Sequence, residues 1–74
     1  MRFFSRPTDG RFYVILPASR DLLGDLVVVT RRGSEGSRRG GVKSYYCRDD
    51  NDLERTERRL AKIRLRHGYL EVGG

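Results

Sequence analysis

Val27-Val28-Val29-Thr30-Arg31-Arg32-Gly33-Ser34-Glu35-Gly36-Ser37-Arg38-Arg39-Gly40-Gly41-Val42-Lys43 is the stretch on which the fold turns. It opens as a run of β-branched residues, the composition of a buried strand. It then passes into a segment that holds four glycines and two arginine pairs. Glycine lets a backbone turn sharply or approach a ligand closely, and paired guanidinium groups present planar forks of donors that suit phosphate. The stretch reads as a strand–turn–strand hairpin whose tip and flanks meet an anionic polymer. The plainer alternative is a solvated, basic β-turn.

Residues 26–30 form the first arm of this hairpin and extend toward Arg31 and Arg32. Residues 36–41 make the turn, and residues 42–47 the return strand. Alternation puts Val42, Ser44 and Tyr46 on one face of that strand and Lys43, Tyr45 and Cys47 on the other. Tyr46 is assigned to the core and Tyr45 to the surface; either ring is a candidate to stack on a sugar or base. Upstream, Arg11-Phe12-Tyr13-Val14-Ile15-Leu16 is a nearly continuous apolar and aromatic run closed by Pro17, hence another strand. Residues 18–24 connect the two, with Leu22 and Leu23 expected to tuck inward. Residues 1–10 end in the turn signal Pro7-Thr8-Asp9-Gly10. They are expected to be a partly ordered N-terminal arm, with Phe3 and Phe4 free to dock, beside a single domain over residues 11–74.

Downstream, Asp49-Asp50-Asn51-Asp52 precedes fifteen residues without Gly or Pro. Asp and Asn cap the free N–H groups of a first helical turn, so a helix over residues 53–67 is expected, with Gly68 as its left-handed stop. Acids sit at its positive end, and Arg64, Arg66 and His67 at its negative end. Leu53, Leu60 and Ile63 share one side, widened by Ala61 and Leu65, while Arg64 projects from the middle of that apolar arc. Tyr69-Leu70-Glu71-Val72 adds a short strand or packs beneath the helix. The expected fold is α+β: a small antiparallel sheet, one long helix across it and a short C-terminal strand. Its expected core joins the helix side to Phe12, Val14, Leu16, Val27, Val29 and Tyr46.

The chain has 74 residues, with 16 Lys and Arg against 10 Asp and Glu, for a net charge of +6. A domain this small buries only about 60–65% of the surface its unfolded chain exposes, so its core is modest. The basic residues concentrate near the N-terminus, in the glycine-rich segment and in the last third, which points to an anionic partner. Cys47 is the sole cysteine and His67 the sole histidine. No disulfide within the chain and no metal cluster are therefore expected, and Cys47 reads as a buried structural thiol. With no apolar run long enough for a signal peptide or membrane span, the expectation is a cytoplasmic protein without membrane contact.

Little here suits catalysis. No Ser/His/acid set stands in convincing order, His67 at a helix end reads as a dipole partner, and Asp49, Asp50 and Asp52 lack the glycine and distal glutamate of a calcium loop. The expectation is a non-enzyme without cofactors. The basic segments carry the stronger signal. Residues 29–47 hold five basic residues and one acid, and residues 53–67 hold six and two. Cations on rigid elements, with glycine nearby, are what phosphate contacts need.

In order and spacing these residues resemble the WGR domain of poly(ADP-ribose) polymerases and of small stand-alone bacterial proteins. The resemblance runs over residues 11–72. It rests on Arg11-Phe12-Tyr13, on Asp21-Leu22-Leu23-Gly24-Asp25 before a Val-rich strand, and on Thr30-Arg31-Arg32-Gly33-Ser34-Glu35-Gly36. An aromatic strand, a charged helix and Arg64-Leu65-Arg66-His67-Gly68-Tyr69 complete it. Gly33 and Gly36 fall on the motif glycines, Gly40 or Gly41 on the turn glycine, and Arg64 with Gly68-Tyr69 on the helix-end signature. Arg32 stands where the family has Trp, Ser34 where it has Arg, and Glu35 where an aliphatic residue is usual. The resemblance implies a DNA-binding module of bacterial type. Arg31, Arg32, Arg38, Arg39 and Lys43 are the candidate phosphate contacts, with Gly33 keeping the backbone close and Arg64 at the helix end. Arg32 offers a guanidinium plane in place of the stacking Trp. RNA is the alternative polymer, since phosphate contacts do not separate the two. The rival function is a protein-interaction domain that kept the fold and lost the Trp and Arg.

Overall fold

The computed structural model describes residues 1–73, and it is α+β. Strands β1 (Arg2–Arg6), β2 (Arg11–Ile15), β3 (Ser19–Arg20), β4 (Leu26–Ser34) and β5 (Gly40–Cys47) precede helix α1 (Asp50–Arg66), and β6 (Leu70–Val72) follows it. All pairings are antiparallel. β4 is the organiser: β2 and β3 share one of its edges, β5 takes the other, and β1 and β6 extend the sheet beyond β2.

The hairpin expected from the valine–arginine–glycine stretch is present and longer than its apolar run, because β4 continues through Arg31 and Arg32 to Ser34. Its turn is tight: the Ser37 N–H donates to the Ser34 carbonyl at 3.2 Å. Gly36, at φ 74°, takes the left-handed third position that a side chain would resist. The Glu35 N–H donates to the Gly10 carbonyl at 2.8 Å, tying this turn to the β1–β2 turn.

α1 starts at Asp50, three residues before the expected boundary. Asp49 caps it, its carboxylate accepting from the Asp52 N–H at 2.8 Å. The Asp52 carboxylate reaches back to the Arg48 N–H at 2.9 Å, a reciprocal arrangement that satisfies two orphan donors. His67 closes the last turn, and Gly68 at φ 85° turns the chain toward β6.

The first ten residues are not a loose arm. β1 lies between β2 and β6, and Phe4 at its centre is fully buried. Two features keep this charged segment in the sheet. Arg2 is held by Glu71 of β6 through two hydrogen bonds of 2.8 and 2.7 Å, and Arg6 is held by Asp9.

The helix covers the opposite face of the sheet from the one expected. Its core is Phe4, Tyr13, Ile15, Val28, Cys47, Leu60, Ala61 and Tyr69, with Leu26, Tyr45 and Leu53 packed against it. Phe12, Leu16 and Val29 lie on the other, open face and are only half-buried, although Val14 and Val27 there are enclosed. Tyr45 and Tyr46 therefore exchange roles, Tyr46 being 67% exposed. Cys47 is buried, as expected of a structural thiol. Leu65 is exposed. Leu22 and Leu23 do not tuck inward, because the Asp21 carboxylate accepts from the Leu23 and Asp25 N–H groups and leaves both leucines on the tip of its turn.

Candidate nucleic-acid interface

Arg64 is the one cation that the helix delivers onto the sheet. Its guanidinium carbon lies 4.2 Å from the Tyr13 ring centroid and 5.6 Å from that of Tyr69. Both tyrosines are buried, so the charge rests on two rings that tertiary packing holds still. A cation over an aromatic face is attracted by the ring quadrupole, more so when partly desolvated. Arg6 stacks on Tyr69 at 4.8 Å and donates to the His67 carbonyl, fixing that ring and the helix end together.

Along β4 and β5 the register places Thr30 opposite Lys43 and Arg32 opposite Gly41, on the helix side of the sheet. Lys43 Nζ lies 5.1 Å from the Tyr45 ring centroid. Tyr13, Thr30, Arg32, Lys43, Tyr45 and Arg64 surround a cleft of about 230 Å³. It adjoins a second of about 340 Å³, to which Arg32 and Arg64 also contribute and which Arg11, Arg39 and Tyr69 help to line. Among the described residues no carboxylate lines either cleft. Arg32, Arg39, Lys43 and Arg64 make no ion pair among the described residues, whereas Arg2, Arg6, Arg11 and Arg48 do.

Two buried polar atoms at this place have no hydrogen-bond partner, the Tyr13 hydroxyl and Arg64 Nε. The Nε belongs to the guanidinium whose carbon sits over the two tyrosine rings. The Tyr13 phenol is pushed up in pKa by burial, offset in part by the neighbouring Thr30 hydroxyl and, less, by the Arg64 charge. It therefore stays a neutral donor. A concave surface with several cations, aromatic rings and no acid can take oxyanions and the sugar or base edges attached to them.

The expected site residues divide between two faces. Arg32, Arg39, Lys43 and Arg64 converge on these clefts. Arg31 and Arg38 do not: they border a larger depression of about 620 Å³ with Phe12, Val14, Leu16 and Val42, to which Arg32 and Arg39 also contribute. One residue of register separates Arg31 from Arg32, which is enough to send neighbours in a strand to opposite sides. Gly33 serves a different contact from the expected one. A Cβ there would stand 2.6 Å from Cζ of Phe12, so its bareness makes room for that ring. A Cβ on Gly41 would lie 2.8 Å from Nε of Arg32, whose guanidinium thus lies across the bare backbone of β5. Tyr13, Tyr69 and Arg11 had no place among the expected contacts. Their signal was a cross-strand one, tyrosines and cations alternating on the same side of neighbouring strands.

Among the described residues there is no group of His, Cys, Asp or Glu able to hold a metal ion, and no helix long and apolar enough to cross a membrane. Comparison with known proteins finds no matching family model and no significant similarity to a curated protein or a solved structure.

Proposed function

We propose that this chain is a non-enzymatic nucleic-acid-binding module that takes DNA through its phosphates at the Arg32–Lys43–Arg64 cleft. One observation carries the reading. Three cations share a concave site that no carboxylate of the described residues lines, two of them seated on tyrosine rings. Uncompensated charge held on rigid elements is what releases counterions from a polyanion. The likeness to WGR domains in the order of motifs supports the same reading, and Arg32, lying flat on Gly41, supplies a plane where that family has Trp. Binding through phosphate alone implies no base preference.

The test is fluorescence anisotropy with a labelled short DNA duplex at several salt concentrations. Four contacts, from Arg32, Arg39, Lys43 and Arg64, give a slope of log K against log salt near −3.6, at about −0.9 per phosphate. Arg64→Met should weaken binding about tenfold and flatten the slope by roughly one, with Arg64→Lys restoring part of the loss. Binding that is absent or indifferent to salt overturns the proposal. An RNA duplex of the same sequence in parallel tells which polymer is preferred.

A further inference from the structure

β5 is the open margin of the sheet. Among the described residues it pairs only with β4, over Leu26 to Gly33, and its other edge faces no strand. The opposite margin, β6, has three residues, and its middle one, Glu71, is held by Arg2. β5 has eight residues, none of them Pro. Which of its backbone groups are free follows from the ladder. The Leu16 N–H donates to the Val29 carbonyl at 2.9 Å, so Val29 faces β2 and its neighbours Val28 and Thr30 face β5. Their partners Tyr45 and Lys43 therefore face β4, and Val42, Ser44 and Tyr46 present N–H and C=O outward. Those residues also expose their side chains on one face, Val42 at 65% and Tyr46 at 67%. Lys43 is exposed on the other face.

We infer that β5 receives an extended peptide of alternating apolar and acidic residues as an added antiparallel strand, its apolar side chains beside Val42 and Tyr46 and its acidic ones beside Lys43. Side chains alternate between the faces of a strand, so an edge that is apolar on one side and cationic on the other selects a ligand with that same period. Charge chooses the occupant. β4 and β5 together carry Arg31, Arg32 and Lys43 and no acid. Pairing β5 with a second copy would bring two such sets together, and a lysine on an edge strand opposes self-association in this way. A nucleic acid would leave the outward backbone donors and acceptors of Val42, Ser44 and Tyr46 unmatched in register. The inference shares Lys43 with the phosphate cleft but rests on the free edge and on Val42 and Tyr46, which the phosphate reading does not use, so loss of DNA binding leaves the peptide result unaffected.

The test is amide hydrogen exchange followed by NMR, with three acetylated eight-residue peptides: alternating Val and Glu, alternating Val and Lys, and Glu alone. In the free protein the Val42, Ser44 and Tyr46 amides should exchange freely and the Lys43 and Tyr45 amides slowly. The Val/Glu peptide should slow the first three about tenfold or more, and the other two peptides should leave them unchanged. Ser44→Pro removes an outward N–H that β4 does not use, a position where an edge strand accepts proline, and should abolish the protection. Lys43→Glu, at an exposed position, should reverse the preference toward the Val/Lys peptide, and it keeps the test decisive if the proline variant fails to fold. Three results would each overturn the inference: no protection by the Val/Glu peptide, equal protection by all three, or outward amides already protected in a protein that sediments as a dimer.

Discussion

Gly40 and Gly41 are chemically identical neighbours with different reasons for being glycine. A Cβ on Gly40 would stand 2.6 Å from the backbone carbonyl oxygen of Arg32, which cannot move without opening the β4–β5 ladder. A Cβ on Gly41 would meet only the Arg32 side chain, whose long stem has other rotamers. Gly40→Ala should therefore cost about 1–3 kcal/mol of stability, as overpacking does. Gly41→Ala should leave the urea midpoint nearly unchanged while displacing the Arg32 guanidinium and weakening nucleic-acid binding. Denaturation and anisotropy on the same two proteins separate these outcomes. If Gly41→Ala proves the more destabilising, the described packing of Arg32 is wrong.

At the scale of elements, α1 is capped at its start by the Asp49 carboxylate, with Asp52 reaching back to the Arg48 N–H, and is placed on the sheet by few apolar contacts, with Leu60 and Ala61 buried and Leu53 partly so. Removing the cap in Asp49→Ala should cost about 1 kcal/mol, read as a lower thermal midpoint with helicity lost first at residues 50–53. This cap was legible because Asp49-Asp50-Asn51-Asp52 followed by an unbroken helical stretch has one local solution. The β4–β5 hairpin was legible for the same reason, since Gly36 marks its turn. The face of the sheet was not. In Arg11-Phe12-Tyr13-Val14-Ile15-Leu16 every position after the first is apolar or aromatic, so a period of two leaves no trace. The buried face was fixed by where α1 docks, through Tyr13, Ile15 and Val28, a tertiary fact. β1 was hidden differently: Arg2 and Arg6 look solvated until their partners Glu71 and Asp9 are seen beside them. The candidate site suffered from the same one-residue ambiguity, which grouped Arg31 with Arg32 although they face opposite ways.

For the whole molecule, three carboxylates tie distant or turning segments together: Asp9 with Arg6, Asp52 with the Arg48 N–H, and Glu71 with Arg2. Each is held below its ordinary pKa, Asp9 and Glu71 chiefly by a hydrogen bond from their arginine and Asp52 chiefly by the backbone N–H. A depressed folded-state pKa adds stability above the unfolded value and loses it as pH falls through the folded one. The urea midpoint should thus be flat through neutrality and fall once pH drops below about 4, where carboxylates ordinarily titrate. Replacing Glu71 with Gln should make that fall shallower. The pairing of Phe3 with Val72 has a consequence of another kind. β1 closes against a strand more than sixty residues downstream, so it leaves the ribosome long before its outer neighbour exists. Until Leu70 emerges, Phe4 has only one flanking strand, and a sheet whose ends meet across nearly the full length of the chain forms late and all at once. A cell making this protein holds an unfinished edge for as long as translation of α1 takes.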